Sequence, residues 1–234
     1  MVCIELEPWI EKQIPPNLVD HFKNLRKDQL ALQKRVIIED HPSLSRISLV
    51  AGCDVSYFSN GDACAGIAVL EIPSLTQVEY VFYIYTPKID YVPTFLAYRE
   101  APGIVEAYKK LQNKPDLIVV DGNGILHPHK LGIASHLGII LNKPTIGVAK
   151  RLLIGSFDEQ ILLENKFSPV MYKNQEIGAA VVTNQSYKPI YISPGNLLSI
   201  QTARSLISRY TRQRLPEPIR LADKLTRDTV KDLE

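Results

Sequence analysis

Apolar and polar positions along the chain follow two rhythms. Between Asn17 and about Val36, Leu18, Phe22, Leu25, Leu30 and Leu32 sit among many charges at helical spacing, which predicts an amphipathic helix. From Arg46 to Phe58 the period shortens to two. Ile47, Leu49, Ala51, Cys53 and Val55 alternate with their neighbours, predicting a strand with Asp54 on its opposite face. Two more strand-like runs, Ala63 to Ile72 and Val78 to Thr86, are joined by the turn-forming Pro73-Ser74, so a three-strand meander is expected to open the sheet.

Beyond the meander the pattern changes. Leu96 to Leu111 is helical in spacing but contains Pro102, which predicts a short helical turn ending near Glu100 and a longer helix starting just beyond it. Asp116 to Asp121 is a short apolar run of the kind buried on both faces in parallel pairing. A helix over Leu131 to Leu141 and a strand over Pro144 to Val148 continue the alternation. Gln175 to Thr183 and Pro189 to Ser193 read as further strands, and Leu197 to Tyr210 and Ile219 to Leu233 as helices. A meander followed by alternating strand and helix predicts an α/β fold whose mixed sheet begins antiparallel, continues parallel, and carries helices on both faces.

Length and composition narrow the class. At 234 residues and 45% apolar content, one compact domain over residues 1–234 with a sizeable core is expected, and no repeat, low-complexity stretch or long linker divides it. Glu5 and Glu7 stand where a signal peptide needs basic and then apolar residues, and no apolar run approaches bilayer length. The expectation is an intracellular monomer with no membrane partner, cytoplasmic, or nuclear in a eukaryote. Cys3, Cys53 and Cys64 are odd in number and fit neither a zinc knuckle nor a redox pair, so they are expected to be reduced, mostly buried thiols. A net charge of +2 does not by itself predict nucleic-acid binding. Basic residues do gather, as Lys143, Lys150 and Arg151 and as Arg204, Arg209, Arg212, Arg214 and Arg220, although a solvated face is the commoner fate of such a cluster.

Four acids change the picture. Asp54, Glu100, Asp121 and Asp223 each lie where a predicted strand or helix opens onto a loop. Mg²⁺ takes oxygen ligands and needs only one or two protein carboxylates besides water and substrate phosphate. Asp121 ends a buried strand and precedes Gly122-Asn123-Gly124, which aims it at the carboxyl edge of the sheet, where ligands of open α/β sheets bind. Taken alone, an Asp before Gly is more often a cap or turn residue. Asp54 sits on a central strand, where a buried charge is costly unless it meets a cation or a partner. Glu100 and Asp223 have weaker individual cases, because exposed helix faces are the ordinary home of acids. Lys150, at a strand end, can place an ammonium beside a reacting phosphate, and its bland alternative is a solvated strand end. His127-Pro128-His129 lacks the further ligands a zinc site requires. Tyr91-Val92-Pro93 follows a strand, where a rigid aromatic can stack on or wedge between bases, though such tyrosines more often pack on the surface.

Together these motifs resemble one family. The residues that carry the resemblance are Gly-Cys-Asp54-Val-Ser, Tyr91-Val-Pro, Phe95-Leu-Ala-Tyr-Arg-Glu100-Ala-Pro and Asp121-Gly-Asn-Gly-Ile-Leu-His127-Pro. They continue with Leu131-Gly-Ile-Ala-Ser-His136-Leu-Gly, Gly147-Val-Ala-Lys150-Arg-Leu-Leu, Tyr191-Ile-Ser-Pro-Gly195 and Leu215-Pro-Glu-Pro-Ile-Arg-Leu-Ala-Asp223. In order, and over nearly the whole chain, they resemble endonuclease V. The resemblance implies a ribonuclease H-like fold, which the order of elements suits. It also implies divalent-metal hydrolysis, with Mg²⁺ and with Mn²⁺ able to substitute, of the second phosphodiester bond 3′ to an inosine, leaving a 3′-hydroxyl and a 5′-phosphate. Carried over, Asp54, Glu100, Asp121 and Asp223 would bind metal, Lys150 would be the catalytic lysine, and the Tyr91 loop the wedge. Leu96, Gly122, Gly124, Gly132 and Leu153 would line the pocket of a flipped base, with His127 and His136 nearby. The chain departs from the pattern in three places: some members carry His at the position of Asp223, many carry Pro where this chain has Asp90, an acid that would repel phosphate, and Asn123 replaces other polar residues found in parts of the family. The acidic constellation alone also fits a ribonuclease H-like nuclease of other, structure-selective specificity. A non-catalytic inosine-binding module is the reading from a different class.

Overall fold

A computed structural model describes residues 5–183 and 186–234; Cys3 lies outside them. The N-terminal segment supplies α1 (Pro8–Glu11) and α2 (Val19–Gln33). β1 (Leu49–Tyr57), β2 (Ala63–Glu71) and β3 (Thr76–Tyr85) form the antiparallel meander read from the alternation. Then come α3 (Leu96–Lys110), β4 (Leu117–Asp121), α4 (Ile133–Leu141), β5 (Thr145–Ala149), α5 (Glu159–Asn165), β6 (Phe167–Tyr172), β7 (Gln175–Val181), β8 (Ile190–Asn196), α6 (Ile200–Tyr210) and α7 (Glu217–Leu233). The strands make one eight-stranded sheet in the order β3-β2-β1-β4-β5-β8-β7-β6. β1, β4 and β5 are parallel neighbours at its centre, and β8, β7 and β6 extend it as a second antiparallel run.

Both faces are covered. Val50, Val119 and Ile146 point toward α6 and α7, meeting Ala203, Ile207, Ile219 and Ala222. Ile118 and Val120, one residue out of step with Val119, point the other way onto Ala101, Ile104 and Leu137 of α3 and α4. That is the two-sided burial expected of the run ending at Asp121. A third apolar cluster joins Ile10 and Phe22 of the N-terminal helices to Ile89, Val92 and Phe95 in the segment leading into α3.

Three local features tie particular residues to this arrangement. Gly52 of β1 lies so close to the first turn of α7 that an added Cβ would fall 1.9 Å from the Pro218 carbonyl oxygen, so α7 rests directly on β1. At Pro102 the structure departs from expectation: α3 is one continuous helix through the proline, with no break after Glu100. Proline removes the N–H that would serve the Tyr98 carbonyl and crowds that turn. The Tyr85 hydroxyl enters from β3 and donates to the Arg99 carbonyl at 3.0 Å, while burial of Ala97, Ala101, Ile104 and Ala107 holds the helix across the interruption. Gly103 makes room for that ring, since a Cβ there would sit 2.1 Å from it. Lastly, β6 was not among the expected strands; it carries Pro169 and forms the outermost strand of the sheet, where a missing N–H is tolerated. No helix among the described residues is long and apolar enough to cross a membrane.

Candidate active site

The three central parallel strands deliver three of the predicted residues to one edge. Asp54 is in β1, whose Cys53 pairs with Val120 of β4. Asp121 ends β4 and pairs with Val148 of β5, and Lys150 follows β5 immediately. Glu100 comes from α3 and Asp223 from α7, one over each face of the sheet. Lys150 Nζ is 2.6 Å from Asp121 Oδ2. Thr226 Oγ1 lies 3.0 Å from Asp54 Oδ2 and 3.1 Å from the Asp223 carbonyl, and accepts from Ser56 Oγ at 2.9 Å. Gly66, opposite Asp54 on β2, leaves the space Thr226 occupies, because a Cβ would come within 2.4 Å of its methyl. On the other flank Arg99 Nε donates to the Tyr57 hydroxyl at 3.0 Å, and that hydroxyl donates to Glu100 Oε1 at 2.8 Å. Asp223 is paired with Arg227 one turn later, at 2.5 Å.

The electrostatics show that these acids share one region. Burial pushes Asp54 up to about 7, and the charges of Asp121 and Asp223 add to the rise, against the Thr226 hydrogen bond and Lys150. Burial likewise pushes Glu100 up to about 7; the Tyr57 hydrogen bond opposes this, and Asp54 and Asp121 reinforce it. For Lys150, burial pulls downward, but Asp121, Asp54 and Asp223 outweigh it and hold the ammonium above its ordinary value. The edge therefore carries more negative charge than its own cation neutralises. Oxygen-only donors with surplus charge fit a hard dication such as Mg²⁺. Among the described residues no three acidic, imidazole or thiol groups are already gathered at ligand spacing. Asp121 and Asp223 are instead turned to Lys150 and Arg227, which is how like charges settle beside available cations.

Beside this edge lies a small cavity of about 80 Å³, walled by Tyr91, Leu96, His127, Gly132 and Leu153 together with Thr94, Asn123 and Leu131. Its volume is far below the roughly 300–1,000 Å³ of a drug-sized ligand site. Tyr91 is 63% exposed at the rim, whereas Val92 is buried and anchors the loop from below. Asp90 stands 4.0 Å from Arg99, which answers part of its charge. Gly132 lines the cavity, but Gly122 and Gly124 do not; Gly122 leaves room for the Ile133 side chain, and Gly124 lets backbone approach. Gly122 has φ +150°, and a Cβ on Gly124 would lie 2.1 Å from the Pro194 carbonyl oxygen. His127 is buried, with Nε2 3.2 Å from the Thr94 carbonyl and Nδ1 accepting from the His129 amide. Burial, together with the neighbouring His129, drives it down to about 3. His129 in turn meets Glu7 at 2.8 Å, so both imidazoles are engaged in hydrogen bonds. His136 is not at this cavity; it is buried on α4, edge-on to Tyr98, beside a separate groove. In the second basic group, Arg212 and Arg214 donate to the Ser74 and Lys188 carbonyls, Arg220 pairs with Glu217, and Arg204 stacks on Phe167, so these cations serve packing.

Several residues here were not singled out from sequence. Ser56 shares a strand face with Asp54, and Thr226 is one helical turn from Asp223, so both were within reach of spacing arguments. Tyr57 and Thr94 carry no such signal.

Comparison with known proteins gives one family. Residues 30–224 match the family profile described as Endonuclease V. The endonuclease V of Trichormus variabilis is 42% identical over 199 residues, covering 84% of this chain and 90% of that protein. The one from Thermofilum pendens is 40% identical over 213 residues, covering 90% and 88%. Among solved structures, the catalytic domain of human endonuclease V superposes with TM-score 0.83 at 31% identity, covering 93% of this chain and 98% of that one. A Ciona intestinalis endonuclease V, in complex with a 24mer DNA containing an inosine followed by a ribo-adenosine, superposes with TM-score 0.84 at 30% identity, covering 92% and 100%.

Proposed function

Because the chain belongs to the endonuclease V family and is an endonuclease, we propose that it acts as a single-domain, intracellular monomer that recognises inosine in a nucleic-acid strand. It hydrolyses the second phosphodiester bond on the 3′ side, leaving a 3′-hydroxyl and a 5′-phosphate. The observation that carries this reading is the meeting of Asp54, Glu100, Asp121, Asp223 and Lys150 in one electrostatic neighbourhood beside a small cavity. The inosine-containing DNA held by the Ciona relative supports the choice of base.

Asp54 and Asp121 would hold Mg²⁺, or Mn²⁺ in its place, with Glu100 and Asp223 as the further acids of its shell, directly or through water. When bound, the ion supplies an activated water and a Lewis acid for the phosphoryl oxygen. Thr226 orients Asp54, and the Arg99–Tyr57 pair orients Glu100. Lys150, kept protonated by its acidic neighbours, offsets charge that develops on the phosphate in the transition state. Tyr91 wedges the strand open, while the closely walled cavity takes the flipped base and excludes water around it.

The test is a set of otherwise identical oligonucleotides carrying inosine or guanosine, as single-stranded RNA, single-stranded DNA and duplex DNA, at one salt concentration. Asp121→Ala is run beside the wild type. Inosine-dependent cutting by the wild type, with inosine binding but no cutting by Asp121→Ala, is expected. Equal cutting of guanosine strands would instead favour a structure-selective nuclease, and binding without cleavage by the wild type a non-catalytic module.

A further inference from the structure

Two separate loops wall the cavity, residues 91–96 on one side and 127–132 on the other, and one buried side chain from outside both reaches each of them. Gln29 of α2 is fully buried. Its Nε2 donates to the Thr94 carbonyl at 2.9 Å and lies 3.4 Å from the Leu131 carbonyl, and both of those residues line the cavity. The amide has only one sensible orientation, since turning it over would set Oε1 against two carbonyl oxygens. In the orientation it holds, Oε1 has no partner among the described residues, an arrangement that costs stability rather than adding to it. A residue chosen only for packing would be apolar here.

Thr94 needs such a hold. Its φ is +70°, a conformation that a β-branched residue rarely adopts. Its carbonyl also lies 3.2 Å from His127 Nε2, and its hydroxyl accepts from Arg26 Nη2 at 3.2 Å. Arg26 is itself buried, stacked over the Phe95 ring at 4.7 Å and paired with Glu7 at 3.0 Å. Gln29, Arg26 and Glu7 all precede residue 30, where the family match begins.

From this arrangement we infer that Gln29 is a positioning residue for base recognition: its amide ties the Tyr91 loop to the 127–132 loop and sets the width of the base cavity. The inference rests on the proposed reading of that cavity as the inosine site. Gln29 is fully buried and its amide bonds only to the cavity walls, so its effect falls on recognition and not on the cleavage step. A displacement of about 1 Å in such a wall is enough to cost one to two orders of magnitude.

The variants are Gln29→Met, which keeps size and removes both hydrogen bonds, and Gln29→Glu, which in its ionised form presents only acceptors to the two carbonyls. Steady-state cleavage of inosine and guanosine strands is measured together with hydrogen exchange at the Phe95 and Gly132 amides, which are bonded to Val92 and Gly124. Gln29→Met is expected to raise KM for the inosine strand about tenfold, with kcat within about twofold, and to speed exchange at both amides. A fall in melting temperature with KM, the inosine-to-guanosine ratio and exchange all unchanged would reduce Gln29 to a packing residue and overturn the inference. If the wild type shows no inosine preference, the functional reading fails. Exchange then still decides whether Gln29 holds the two loops together, and unchanged exchange refutes it. Should Gln29→Met not fold, Gln29→Glu is judged by the same KM and exchange criteria.

Discussion

At the scale of single residues, the site trades stability for charge. Asp54 is mostly buried, and its carboxyl is held near 7 because neither the interior nor its acidic neighbours favour a second negative charge. A folded-state value raised above the unfolded one means that stability from this group is present at low pH and is lost as pH rises from about 4 through about 7. Asp54→Asn should therefore stabilise the metal-free protein at pH 8, by roughly 1–3 kcal/mol, while abolishing cleavage. Chemical denaturation in EDTA checks it, and equal midpoints for the two proteins would count against the assignment. Lys150 makes the complementary prediction. Lys150→Met should lower kcat by about 10²–10³ with little change in KM, because the role proposed for its ammonium is to offset charge that appears only in the transition state. A single-turnover assay separates the two constants. Asp121 and Lys150 were legible because each stands at the end of a strand that apolarity marks clearly, and Asp54 because it is a charge within a strand that alternation marks. Thr94 was not, because its importance lies in hydrogen bonds from α2 that no local pattern records.

At the scale of elements, the seating of α7 on β1 decides whether Asp223 and Thr226 reach the site. Gly52 sets that seating. Gly52→Ala would drive a methyl into the Pro218 carbonyl, and backbone cannot swing aside as a side chain can. The variant should lose about 1–3 kcal/mol or more, with a melting temperature several degrees lower. It should also lose activity at temperatures where it remains folded, because α7 carries Thr226 away from Asp54. A thermal melt and an assay well below the transition test both parts, and a destabilised variant with full activity would contradict the second. Element boundaries were readable wherever hydrophobic period and burial agreed. They were misread at Pro102, where tertiary contacts from Tyr85 and the buried alanines overrode a local helix breaker. β6 lies outside the expected strands; it contains Pro169, which a strand tolerates at an edge, and edge status is a property of the assembled sheet.

At the scale of the whole molecule, the sheet order brings together groups that the sequence keeps far apart. That β8 inserts between β5 and β7 cannot be read from periodicity, since each strand pattern is satisfied by several neighbours. The shared charge of the acids makes a global prediction. Protons on Asp54 and Glu100 must leave before a cation binds, so Mg²⁺ affinity should strengthen as pH rises through about 7, by roughly tenfold per unit for each proton released. The rise in melting temperature on adding Mg²⁺ should accordingly be larger at pH 8 than at pH 6. His127 and His136, both held low by burial, contribute in the opposite direction, since their stabilisation is lost as pH falls below about 6.5, so the comparison is made as the difference with and without metal at each pH.

The most direct measurement of the central claim is cleavage-site mapping on an end-labelled strand with one inosine, in Mg²⁺ and in EDTA, beside the same strand with guanosine at that position. The account predicts one product, cut at the second phosphodiester bond 3′ to the inosine, formed only with Mg²⁺ and only from the inosine strand. Cutting that persists in EDTA, or that ignores the identity of the base, would contradict it.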